Sequence, residues 1–203
     1  MKRRLRTQVD NSGERGLAAV EFAMVVPILV VLVALIVELG GLYMSAMTVT
    51  SASRTGARVV SAFSTSRLAD YTALQNVSSA LRRFGPSQID YVSIYKPIDA
   101  YGTPASTCTG ASATSTAGAC NVYSGATLGT FTLAQFTGTT SCTGTSPDRF
   151  WCPIGRDSTQ TGGTDSIGVL VRVRHLYLTK IFNFATGASR VYRTTTVMKL
   201  EPM

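Results

Sequence analysis

Residues 17–37 read LAAVEFAMVVPILVVLVALIV, 21 residues carrying one charge, Glu21. A helix needs about 20 apolar residues to cross the hydrocarbon of a bilayer, so this stretch predicts a membrane-spanning helix. An acid within such a run costs at least a few kcal/mol toward the bilayer centre, and its presence demands a reason. Upstream, residues 1–16 carry Lys2, Arg3, Arg4, Arg6 and Arg15 against Asp10 and Glu14. Cationic residues are retained on the cytoplasmic side, and none occurs from Glu38 to Ser53. The expected topology is therefore amino terminus inside and the bulk of the chain outside.

A cleaved secretory signal is the competing reading. Its apolar core is usually roughly 7–15 residues long and ends at a small-x-small site. Here the run is longer, Val33–Gly40 offers no such site, and the segment flows into another helical pattern. Leu42, Ala46, Val49, Ala52, Gly56, Val60 and Phe63 recur at steps of three and four, the spacing of one helix face. This predicts a single helix from residue 17 to about 63, with Pro27 or Gly40–Gly41 as candidate bend points. Arg54 and Arg58 fall on another face, read as solvated.

Beyond the helix the pattern changes twice. A second helix is predicted over Arg67–Phe84, with Leu68, Tyr71, Leu74, Val77, Leu81 and Phe84 as its stripe and Gly85-Pro86 as its stop. DYVSIYK, Asp90–Lys96, is rich in β-branched and aromatic residues and reads as a strand. Of the 63 residues from 102 to 164, 33 are Gly, Ser or Thr, and the charges are Asp148, Arg149, Arg156 and Asp157. That composition reads as an inserted loop region with little core of its own. All four cysteines, Cys108, Cys120, Cys142 and Cys152, lie in it, as expected where disulfides replace a core in an oxidising compartment. Three connectivities are possible. Short loops favour Cys108–Cys120 with Cys142–Cys152, although the sequence leaves the choice open. Order returns in SIGVLVRVRHLYLTK, Ser166–Lys180, where Val169, Val171 and Val173 alternate with Arg172 and Arg174 as in a half-buried strand. RVYRTTTVMKL, Arg190–Leu200, is a second such strand after a turn near Thr186-Gly187.

Several functions are disfavoured by what the sequence holds. The net charge is +8, but no arginine-lysine run or aromatic-basic alternation accompanies it, so nucleic acid is not an expected partner. The cysteines form no CxxC pair and the chain has one histidine, so no metal or other cofactor is expected. His175 reads as a structural histidine, Trp151 as loop packing, and no GxSxG-type motif marks a nucleophile. No catalytic residue, enzymatic activity or small-molecule substrate is expected.

The stretch RGLAAVEFAMVVPILVVLVALIVELG, followed by TSASRTGARVV, resembles the TadE-like proteins, pseudopilins of the tight-adherence (Tad) branch of type IV pili. The tail from VLVRVRHLYL through TTTVMKLEP is also similar to that family, whereas the Gly/Ser/Thr-rich middle is not. The resemblance implies cleavage between Gly16 and Leu17 by a prepilin peptidase. It also implies assembly through Glu21, the aromatic Phe22 and Pro27. Cleavage would leave an α-amine on Leu17, a positive partner for Glu21 of a neighbouring subunit. An ordinary interfacial charge in a membrane anchor is the alternative reading of Glu21.

The expected fold is α+β and pilin-like: a long N-terminal transmembrane and amphipathic helix packed on a small antiparallel sheet, with a disulfide-stapled loop insert. Its parts would be a cytoplasmic leader (1–16), the transmembrane helix (17–38) and a helical region with the first strand (39–101). The insert (102–164) and the C-terminal strands (165–203) complete it. The expected role is a minor pilin or pseudopilin engaged in pilus assembly, tip formation and adhesion. Its partners would be the membrane, prepilin peptidase, other pilin subunits and the Tad inner-membrane assembly platform. A single-pass anchored binding protein that does not polymerise is the second reading.

Overall fold

A computed structural model of the chain describes residues 12–137, 142–159, 164–178, 187 and 189–202. Residues 1–11 of the expected leader, parts of the insert and Thr186 of the expected turn lie outside them. The chain divides into two compact units, Met1–Gly41 and Leu42–Met203.

In the first unit the chain is helical from Ser12, the start of helix α1, which runs Ser12–Phe63 and contains Pro27. Between Leu17 and Leu39 its large apolar side chains are mostly exposed, Phe22 and Ile36 at 69% each. The segment is long and apolar enough to cross a membrane, which makes it a candidate single-pass anchor.

The second unit is built where α1 packs on a sheet. Val49, Ala52, Ser53, Gly56, Ala57 and Val60 of α1 are buried. Most of the expected face is thus the packed one, but Phe63 is 43% exposed. Serines occupy interior positions instead. The Ser53 hydroxyl donates to the Val169 carbonyl at 2.7 Å, Ser61 donates to the Lys199 carbonyl, and Ser64 to the Glu201 carbonyl at 2.9 Å. Each hydroxyl satisfies its own polarity against a strand or tail carbonyl, so a small polar residue can sit at the closest helix–sheet contact. Gly56 marks that contact: a Cβ there would lie 2.7 Å from Val77 Cγ2 and 3.1 Å from Val169 Cγ1.

Helix α2 spans Ala69–Ala80, shorter than expected, because residues 81–84 continue only as hydrogen-bonded turns. Leu74, Val77, Leu81 and Phe84 of its predicted stripe are buried, while Leu68 and Tyr71 are half-buried. Four antiparallel strands follow: β1 (Ile89–Tyr95), β2 (Cys120–Ser124), β3 (Ser166–Leu176) and β4 (Ser189–Lys199). Their order is β2-β1-β3-β4. Strand β2 arises inside the Gly/Ser/Thr-rich region and pairs with β1 from Tyr91↔Ser124 to Tyr95↔Cys120. The insert is therefore part of the sheet and not only a loop.

The sheet is covered on both faces. Val92, Ile94, Val169, Val171 and Val173 join Val49, Val60, Leu74 and Val77 in the main core. A smaller cluster of Tyr91, Tyr95, Leu170, Cys108 and Cys120 occupies the other face. Double coverage explains why β1 is almost continuously buried, without the alternation of a one-sided strand. Tyr95 lies directly over Gly168 of β3, where a Cβ would come within 2.2 Å of the ring. Its hydroxyl donates to the Gly102 carbonyl at 2.8 Å, and burial pushes its pKa up to about 12.

Gly56→Leu should force α1 away from Val77 and Val169 and destabilise the carboxyl-terminal unit by about 1–3 kcal/mol. Chemical unfolding of the full chain in detergent micelles measures this; an unchanged midpoint would contradict the close packing.

Candidate functional site

The residues expected to act in processing and assembly share α1. Gly16 and Leu17 are both exposed, Leu17 at 64%, and a Cβ added at Gly16 would meet nothing within 4 Å. Glu21 is exposed and follows Leu17 by four residues, so the two share one helix face. Phe22 points outward beside it, and Pro27 lies within the same helix, where its missing N–H leaves one helical carbonyl unbonded. Glu38 differs from Glu21 in being fully buried. The arrangement is an uncovered apolar surface with an acid near its start and a sterically free glycine five residues before that acid.

A second constellation lies in the carboxyl-terminal unit, and it joins residues from three separate parts of the chain. Asp70 of α2 and Arg156 of the insert form an ion pair, Nη1 to Oδ1 at 2.7 Å, with both side chains at 0% exposure. Arg156 Nη2 donates to Asp70 Oδ2 at 2.9 Å and to the Trp151 carbonyl at 3.1 Å. From β2, Asn121 Nδ2 donates to Asp70 Oδ2 at 3.0 Å and to the Trp151 carbonyl at 2.9 Å. Asn121 Oδ1 accepts from Trp151 N at 3.0 Å, and the Tyr123 hydroxyl donates to Asp70 Oδ2 at 2.8 Å. The Arg156 guanidinium also lies 4.3 Å from the centre of the Trp151 ring. Trp151 is indeed packed in a loop, at 6% exposure, but as one wall of this buried polar node.

Asp148 adds a further buried acid. It is 1% exposed, and the Ser146 hydroxyl donates to its Oδ1. Burial first, and the nearby Asp70 charge second among the raising influences, lift its pKa above the usual carboxylate range. Burial also raises the Tyr123 hydroxyl well above its ordinary value.

The disulfides are Cys108–Cys120 and Cys142–Cys152. The first ties the loop before β2 to the start of that strand; the second ends next to Trp151. Sequence reading missed Asp70, Asn121 and Tyr123 as a group because they are distant in the chain. Arg156 and Asp148 did leave a signal, being two of only four charges in 63 residues. His175 is buried, with Nδ1 2.9 Å from the Ser45 hydroxyl. Arg54 and Arg58 are exposed on α1. No cluster of three His, Cys, Asp or Glu side chains suited to a metal occurs among the described residues.

Residues 16–58 match the model of the TadE-like protein family. Over that segment the chain is similar to that family. The TadE-like region begins at Gly16, contains Glu21, Phe22, Pro27 and Gly56, and ends at Arg58. It does not extend to the insert, the polar node or the strands at Gly168–Pro202. Comparison with curated proteins gives no match, and comparison with solved structures gives none.

Removing one member of a buried ion pair typically costs about 3–5 kcal/mol, because the other charge stays buried without a partner. Arg156→Ala is expected to lower stability by that order, seen as an earlier thermal transition of the full chain. Asp148→Asn should do the opposite at pH 7. An acid whose folded pKa is raised contributes stability below its unfolded pKa and loses it as pH rises through the folded value. The gain from Asp148→Asn should therefore fade as the pH is lowered through the carboxylate range. Equal thermal midpoints for the two proteins at pH 7 would refute this.

Proposed function

We propose that this protein is a minor pilin or pseudopilin of a Tad-type pilus, a structural component and not an enzyme. One coincidence carries the reading: the TadE-like region starts at Gly16, and the helix that follows exposes an apolar surface interrupted only by Glu21. The basic residues 1–15 stay in the cytoplasm, the apolar segment crosses the membrane, and the disulfide-bonded unit lies outside. Prepilin peptidase cuts between Gly16 and Leu17, where a Cβ on Gly16 would meet nothing within 4 Å. The new amine on Leu17 then lies one helical turn from Glu21 of its own chain and is available to Glu21 of an adjoining subunit.

Burying an acid in lipid is strongly unfavourable, and pairing with an ammonium offsets that cost only where both groups meet. Glu21 accordingly sets the axial register between subunits more than it adds stability. Phe22 and the neighbouring apolar side chains supply the contact surface, and Pro27 lets the helix adapt to its neighbours. The Tad assembly platform and other pilins are the partners. The insert-bearing unit supplies tip or adhesive function.

Mass spectrometry of the extracted protein should find Leu17 at the amino terminus. Gly16→Ala should leave the chain inserted and folded but unprocessed. Glu21→Ala should be processed and membrane-bound yet depleted from sheared pili at least tenfold. An intact residue 1–16 extension in assembled filaments, or normal incorporation of Glu21→Ala, would favour an unpolymerised anchored protein and overturn this reading.

A further inference from the structure

The face of the sheet turned away from α1 carries an arrangement of charge that the fold does not balance. Arg172 and Arg174 of β3 and Arg193 of β4 project from this face, and Arg172 stands directly opposite Arg193 in the strand register. Like charges placed opposite each other across two strands are destabilising. A single acid, Asp90, serves two of them: Arg172 Nε donates to Oδ2 at 2.9 Å and Arg174 Nη2 to Oδ1 at 2.7 Å. Arg193 donates to a neutral acceptor, the Thr109 hydroxyl, at 3.1 Å.

Beside this group is a concavity of about 600 Å³, lined by Asp90, Tyr91, Ser115, Phe150, Arg172 and Arg174 among others. Asp90 is the one acid in its lining. The Arg149 guanidinium lies 4.4 Å from the centre of the ring of Phe150, one of the lining side chains. The walls are preorganised. Residues 109–119 are closed into a loop by Cys108–Cys120, Tyr91 Oη donates to the Gly110 carbonyl at 3.0 Å, and Ser115 Oγ accepts from Val122 N at 2.8 Å. Arg172 is held at 16% side-chain exposure, which limits its loss of freedom when it binds a ligand.

We propose that this concavity is a binding site for a small anionic ligand bearing a carboxylate or phosphate group. Each guanidinium has five N–H donors in a planar fork suited to such groups, and Asp90 engages only one donor of Arg172 and one of Arg174. The anion is held between Arg172 and Arg174, with Asp90 fixing both guanidiniums in place. Phe150 offers an apolar edge to the rest of the ligand, and the wall hydroxyls offer polar contacts. A volume of about 600 Å³ is within the range of small-molecule sites and exceeds what a bare ion would fill. This inference is independent of pilus assembly, because none of its residues lies in the TadE-like region.

The test is calorimetric titration of the full chain in neutral detergent with glucuronate, glucose 6-phosphate, inorganic phosphate and glucose. Saturable binding of glucuronate or glucose 6-phosphate, at least tenfold tighter than glucose, is the expected result. Which of the two binds identifies the carboxylate or the phosphate as the recognised group. Arg174→Gln, at a half-exposed position, should weaken binding at least tenfold with an unchanged thermal midpoint. Asp90→Asn should preserve or tighten it, because the amide oxygen still accepts from the arginines while the negative charge beside the anion is removed. No binding of either sugar anion, binding of inorganic phosphate alone, equal binding of glucose, or indifference to Arg174→Gln would each overturn the proposal.

Discussion

The close approach of α1 to the sheet at Gly56 is the contact on which the carboxyl-terminal unit is organised. A glycine there lets Val77 of α2 and Val169 of β3 meet the same helix turn. Buried serines continue the contact along the helix, and each converts a polar liability into a hydrogen bond with a strand or tail carbonyl. A larger apolar residue at any of these points would bury more surface but hold the helix further off. The helix also has a second environment to satisfy, because its amino-terminal part displays apolar side chains that the described chain leaves uncovered. Two kinds of helix surface follow one another in a single element, one suited to close approach to a sheet and the other long and apolar enough to cross a membrane.

The Gly/Ser/Thr-rich region solves a different problem. It lends Leu128, Phe136 and Trp151 to the main core and is fastened by other means as well. Two disulfides close its loops, β2 joins the sheet edge, and Asp70, Asn121, Tyr123 and Arg156 form a buried polar node with the Trp151 backbone. A buried hydrogen-bonded network of this kind, in which Arg156 Nε is left without an acceptor, adds little net stability over an apolar core of the same shape, but it tolerates few alternative arrangements. The node therefore defines where the insert sits. Asp148 shows the cost of the design, since a further acid is kept in the same low-dielectric surroundings.

These features divide the protein by task. The candidate membrane anchor and the proposed subunit contacts rest on helix α1, whereas the proposed ligand contact falls to the face of the sheet turned away from that helix, where the insert and the strands meet. The disulfide Cys108–Cys120 serves that face directly by closing the loop that walls the concavity.

Much of this was legible in the linear chain. Hydrophobic run length and charge asymmetry are local properties, so the apolar helix, Glu21 and the expected α+β class could be read from residues 1–63 and the alternating valines of β3. Helix periodicity located α2, and loop length favoured the disulfide pairing seen here. What stayed hidden depends on contacts between distant residues. Strand β2 has no alternating signature of its own and is recruited by β1. Ser53, Ser61 and Ser64 look neutral until strand carbonyls face them. Phe63 was placed on the packed face by periodicity, yet it lies at the helix end, where the sheet no longer covers it. The sequence alone determined which segment is long and apolar enough to cross a membrane, because that depends on neighbours within one helix. Only the tertiary structure decided how Asp70 meets Arg156 and how Arg172 faces Arg193, because charges far apart in a chain acquire an interaction energy only when folding brings them together.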